Sequence, residues 1–209
     1  MLDLMKAGGW LMVPILLCSV AAMAIVIERF WALGRKRIMP DGLVMQIWEL
    51  ERTNQLDDQR IEQIRQGSAL GRMLAAGLVN RFHRREIMKE AIQDTGRYVV
   101  SGMDRYLSAL GTIAAVTPLL GLLGTVIGMI DVFAVIMDAG VGDPGVLAGG
   151  ISQALITTAA GLSIAIPSLM FHRYFVSRVD KLVVGMEEQA LRLIEVMQGD
   201  REATDGETP

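Results

Sequence analysis

Three charge-free apolar runs, a one-sided distribution of lysine and arginine, and helical periodicity without strand alternation predict an all-α membrane protein. The expected architecture is three transmembrane helices with long cytoplasmic helical extensions. Hydrophobic residues make up 52% of the 209-residue chain and charged residues 21%. That balance is too apolar for an ordinary soluble domain, so membrane spans are the first thing to place.

Each run is long enough for a bilayer core, which takes roughly 20 apolar residues. The first extends from about Trp10 to Ile27, inside a segment 1–30 that also holds a short N-terminus. The second starts near Ala109, reaches Ile130 and continues past Asp131 to Met137; the third covers Ile151 to Phe171. Residues 31–108 are mixed and polar and read as a helical domain. The stretch 138–150 reads as a loop, and 172–209 as a C-terminal helix with a disordered tail. AAMA in the first run resembles a signal-peptidase site. The basic cluster follows that run rather than leading it, which points to an uncleaved span.

Orientation follows from the cations. Of the 20 Lys and Arg residues, 19 lie either between Glu28 and Ser108 or after Phe171. The loop DAGVGDPGVLAGG carries none. The positive-inside rule then places 31–108 and the C-terminus in the cytoplasm and the N-terminus outside.

Within the cytoplasmic part, Pro40 and Asp41 precede an apolar stripe at Leu43, Ile47 and Leu50, a helix start. DDQRIEQIRQ reads as a second short helix. SALGRMLAAGLVNRF reads as a third, with Ser68 as its N-cap. From Arg84 the helical pattern has no clear stop and predicts one helix running into the second span. The basic cluster RFHRR reads as a solvated helix end near the membrane surface, and no nucleic-acid partner is expected.

The second and third spans each have an unusual face. At 100° per residue, Thr117, Gly121, Gly124, Thr125 and Gly128 share an arc of about 100°, with Asp131 at its edge at the outer end. Leu119, Leu122, Leu123, Val126 and Ile130 lie opposite. On the third span, Gly150, Ala154, Thr157, Thr158, Gly161, Ala165 and Ser168 share a similar arc, continued by His172. Pro118 and Pro167 interrupt the backbone bonding of these helices, which membrane helices tolerate when neighbours compensate. Small residues at a spacing of four let helices approach closely, so Gly121, Gly124, Gly128, Ala154, Gly161 and Ala165 form a close-packing set. The same faces also suit the wall of a narrow cavity holding other helices and a few waters.

Chemistry is bounded by what the spans lack. Cys18 is the only cysteine and the two histidines, His83 and His172, have no ligand spacing, so neither metal nor cofactor is expected. No nucleophile–base pair lies in the spans, so enzyme chemistry is not expected either. Hydroxyls relay hydrogen bonds, but a proton relay across lipid needs a titratable group. Asp131 and Asp138 sit at the outer mouth, and Glu28 and His172 at the inner one. A mid-membrane carboxylate would have to come from another chain.

MDRYLSALGTIAAVTPLLGLLGTVIGMIDVF (103–133) and GGISQALITTAAGLSIAIP (149–167) together resemble the MotA/TolQ/ExbB proton-channel family, in its ExbB/TolQ-like branch. The similarity extends more loosely to GGWLMVPILLCSVAAMAIVIERFWAL (8–33), and three spans set the chain apart from four-span flagellar stators. The resemblance implies a bacterial inner-membrane protein forming a homopentamer around an ExbD/TolR-like single-span partner that supplies the aspartate. It implies coupling of the proton motive force, through a TonB- or TolA-like protein, to outer-membrane transport or envelope maintenance. The family's pore-facing threonines correspond to Thr125 and Thr158, with Thr157 an extra hydroxyl. Gln153 stands where well-known relatives carry glutamate, so this position binds water but does not titrate. A membrane scaffold that only packs helices remains the alternative.

Overall fold

The computed structural model describes residues 9–139 and 144–197, and among them every regular element is a helix. The long helices are α1 (Met12–Ala32), α6 (Arg85–Met103), α7 (Leu107–Ala139) and α8 (Pro144–Met197). Between α1 and α6 lie α2 (Arg35–Ile38), α3 (Leu43–Arg52), α4 (Asp58–Gly67) and α5 (Ala69–Val79). The segment expected as a disordered tail falls largely at 198–209, and the expected loop overlaps 140–143; both ranges lie outside the described residues.

The chain forms two compact units, Met1–Glu28 with Tyr106–Phe175, and Arg29–Arg105 with Val176–Pro209. In the first, Ile15, Leu110, Thr117 and Phe175 are fully buried. Large apolar side chains point outward: Val13, Leu17, Val20, Met23 and Ile27 on α1, and Leu119, Leu122, Val126, Ile130 and Phe133 on α7. Their spacing of three or four makes continuous stripes. A water-soluble surface does not carry stripes of this length, whereas hydrocarbon matches them. Among the described residues, three helices are long and apolar enough to cross a membrane. The architecture is that of an all-α membrane protein.

The second unit inverts this pattern. Phe175 ends the first unit's core, and Val179, Leu182, Met186, Ala190 and Leu193 continue the buried stripe along α8 at steps of three and four. On the other helices Ile47, Leu70, Leu74, Leu78 and Met88 are fully buried. Local capping sets the helix starts: the Asp57 carboxylate accepts from Arg60 N at 2.8 Å and Ser68 Oγ from Gly71 N at 2.9 Å, each satisfying an orphan donor of a first turn.

Two boundaries differ from the sequence reading. The single helix expected from Arg84 into the second span breaks at Asp104–Tyr106. Tyr106 has φ 63°, in the left-handed region that no α-helix contains. The break is stabilised from a distance: Arg29, only 4% exposed, donates from Nη1 to the Met103 carbonyl at 2.8 Å. That carbonyl belongs to the last turn of α6, which has no helical donor of its own. At the other end, α7 persists to Ala139 and α8 starts at Pro144, so most of the 138–150 stretch read as loop is helical. Proline at a first helical position lacks only an N–H that would be unpaired anyway.

Candidate functional site

Helices α7 and α8 meet along their small faces. A methyl on Gly121 would lie 3.0 Å from Thr158 Cα and 3.2 Å from the Thr157 carbonyl oxygen. One on Gly161 would lie 2.8 Å from the Thr117 carbonyl oxygen and 3.2 Å from Gly121 Cα. Gly124 faces Thr157, whose Cγ2 would be 2.6 Å from an added methyl, and Gly128 faces Ala154 Cβ at 2.9 Å. Backbone therefore rests on backbone, and no water fits between Gly121 and Gly161. Ala154 and Ala165 are buried in the same unit.

The hydroxyls on this seam all donate to carbonyls. Thr117 bonds Ile113 O at 2.6 Å, Thr157 bonds Gln153 O at 3.0 Å and Ser168 bonds Ile164 O at 2.7 Å, each within its own helix. Thr157 is 1% exposed, fixed between the helices. Thr125 is half-buried and donates to Leu122 O at 2.7 Å. Thr158 differs: its hydroxyl crosses to α7 and donates to Gly121 O at 2.7 Å. The residue is half-buried. Pro118 and Pro167, both inside these helices, leave the carbonyls of Ala114 and Ser163 without their usual helical donors.

Other residues singled out from the sequence lie away from this bond. Asp131 is exposed on α7. Gln153 is exposed, and its amide nitrogen lies over the Cα of Gly9, where a methyl would be 2.5 Å away. No hydrogen bond joins Thr125 to Thr158 among the described residues.

Two further positions take part that the sequence reading did not single out. Gly111 seats the His172 ring, and a methyl there would lie 2.9 Å from Nε2. Stepping back from Gly121 by threes and fours through Thr117 and Ala114 reaches it, so the signal was present in the small-residue pattern. Arg29 reads in sequence as one topology charge among several. Its bond to Met103 joins residues 74 apart, and nothing local in the sequence announces it.

The sequence matches the MotA/TolQ/ExbB proton channel family over residues 65–188, a range that includes α7 and the seam residues of α8. It is similar to the ExbB-like 1 biopolymer transport protein of Synechocystis sp., 36% identical over 85% of this chain and 71% of that protein. Against the biopolymer transport protein exbB1 of Vibrio cholerae the identity is 30% over 80% of this chain and 75% of that protein. The Tol-Pal system protein TolQ of Haemophilus influenzae is 35% identical over 40% of this chain and 36% of its own length. These relatives are named as biopolymer transport proteins and a Tol-Pal system protein. On motif, fold and extent of match together, the chain belongs to the MotA/TolQ/ExbB proton channel family.

Proposed function

We propose that this chain is the proton-channel subunit of an inner-membrane energising complex. It oligomerises, as a pentamer, around a single-span ExbD/TolR-like partner and passes work to a TonB-like protein, with its N-terminus periplasmic and its C-terminus cytoplasmic. The greater extent of the match to ExbB-named relatives supports TonB-dependent transport over a TolQ-like role in envelope maintenance. Thr125 and Thr158 serve as pore-facing hydroxyls, with Thr157, Gln153 and Asp131 as further polar groups along the proton pathway.

The observation that carries this reading is the hydroxyl of the half-buried Thr158, which donates across the seam to the Gly121 carbonyl. A carboxylate brought by a partner helix would compete with that carbonyl, and a charge-assisted bond is about twice as strong as a neutral one. Once protonated, the acid would become a donor to the Thr158 oxygen, and the hydroxyl would return to Gly121. The site thus accommodates both protonation states without a charge of its own. Its test is proton flux into liposomes holding the chain and its single-span partner. Thr158→Val and Thr125→Val should each lower flux; unchanged flux in both refutes the assignment.

The closed glycine seam favours a second reading, a scaffold whose small faces serve only packing. That reading predicts liposomes that stay proton-tight even with the partner present.

A further inference from the structure

A turn within the second unit gathers cations at the start of α6. Arg81, Arg84, Arg85 and Lys89 lie close together in sequence, against a single acid, Glu86. Arg81 is fixed in place: its Nη1 donates to Leu78 O at 3.1 Å, and its guanidinium carbon lies 4.4 Å from the ring centre of the exposed Phe82. Arg84 is the N-cap residue of α6 and supplies no side-chain cap. It is exposed, as are Arg85 and, one turn on, Lys89. The side chains of Arg84 and Lys89 form no ion pair among the described residues. Cations at a helix start add to the positive end of its dipole, so this end of α6 favours an acidic neighbour.

The same unit supplies one. Lys89 of α6 and Ile194 of α8 line one cleft, whose α6 wall extends from Lys89 to Asp104. Helix α8 ends at Met197, one turn beyond Ile194. The sequence that follows, QGDREATDGETP (198–209), holds four acids, one arginine and no large apolar side chain. Its excess of negative charge equals the excess of positive charge between Arg81 and Lys89. Extended, these residues reach about 40 Å, and the α6 wall rises only about 22 Å. The segment therefore reaches the cluster from either end of the cleft. The other run of cations, Arg35–Arg37, is tied to an earlier part of α8. Beyond it in sequence, Met39 packs against Gly185, about 18 Å along the helix from Met197.

We propose that residues 198–209 dock on the basic surface of their own chain at Arg84, Arg85 and Lys89, and so tie the end of α8 to the first turns of α6. The test places a nitroxide on Thr204→Cys, with Cys18→Ser, in full-length detergent-solubilised protein, and reads its mobility by electron paramagnetic resonance. A slow component is expected at 0.1 M salt. It should fade at 1 M, where the screening length falls from about 10 Å to about 3 Å. Each exposed ion pair is worth roughly a factor of two in the docked-to-free ratio, so Arg84→Gln with Lys89→Gln should lower that ratio about fourfold. Arg84→Lys with Lys89→Arg should keep it, as should Arg35→Gln, Lys36→Gln and Arg37→Gln together. Arg84→Glu with Lys89→Glu should abolish the slow component, and Asp200→Lys with Glu202→Lys should restore it in that background, a rescue that a general loss of folding would not permit. Unlabelled wild-type chains co-assembled with the labelled Arg84→Glu, Lys89→Glu chain should not restore it. A label that is fast at 0.1 M salt, a slow component indifferent to Arg84 and Lys89, or rescue by neighbouring chains would each overturn the proposal.

Discussion

Alanine at Gly161 would probe the seam most directly. The added methyl would lie 2.8 Å from the Thr117 carbonyl oxygen and 3.2 Å from Gly121 Cα. Both neighbours are backbone, so no rotamer change relieves the contact and the helices themselves must separate. Overpacking of this kind costs about 1–3 kcal/mol. Alanine also gains about 1 kcal/mol of helix propensity over glycine, which would blur a single measurement. Gly149 removes the ambiguity: it lies on the same helix, and a methyl there meets no atom within 4 Å. Gly149→Ala receives the propensity gain alone, so the difference between the two variants isolates the packing cost at about 1–3 kcal/mol. Denaturant unfolding of the detergent-solubilised protein, followed by circular dichroism, measures both. Should Gly161→Ala match Gly149→Ala within about 0.5 kcal/mol, below the packing range, the close backbone approach described for the seam is wrong.

Arg29→Gln removes the guanidinium bonded to Met103 O and leaves a buried carbonyl without that donor, at a cost of about 1–3 kcal/mol. Hydrogen exchange of amides near the Asp104–Tyr106 break should quicken, and an unchanged exchange pattern there would show that Arg29 does not hold it. Ser68→Ala deletes the cap on Gly71 N and should destabilise the second unit by about 1 kcal/mol. Ser68→Asp keeps a cap acceptor and should recover most of that loss in the same thermal melt.

The spans, the Ser68 cap of α5 and the paired small faces were legible because each is a local or periodic property. Ser68 before an apolar stripe, glycine at intervals of three and four, and twenty uncharged residues in a row all act through neighbours on one helix. The break at Tyr106 was not legible, since the pattern on both sides is helical and the carbonyl it exposes is satisfied by Arg29, 74 residues from Met103. Residues 144–150 looked like loop because of Pro144 and three glycines, yet proline suits a helix start, and Gly149 and Gly150 are helical.

The small faces pose a subtler problem, because glycine at a spacing of four reads the same whether its partner is in the same chain or another. The structure shows that Gly121, Gly124, Gly128 and Gly161 are used up within the chain, against Thr117, Thr157, Thr158 and Ala154. What that leaves for a neighbouring helix is narrower than the wheel implied. Thr157 is enclosed, and its hydroxyl donates to Gln153 O on its own helix. Thr125 and Thr158 are half-buried, one bonded within α7 and the other tying α8 to α7. A partner's acid approaching Thr158 would therefore draw on the bond that joins the two helices. Replacing that hydroxyl should loosen the seam and lower proton flux together, whereas Thr125→Val should lower flux and leave the seam intact.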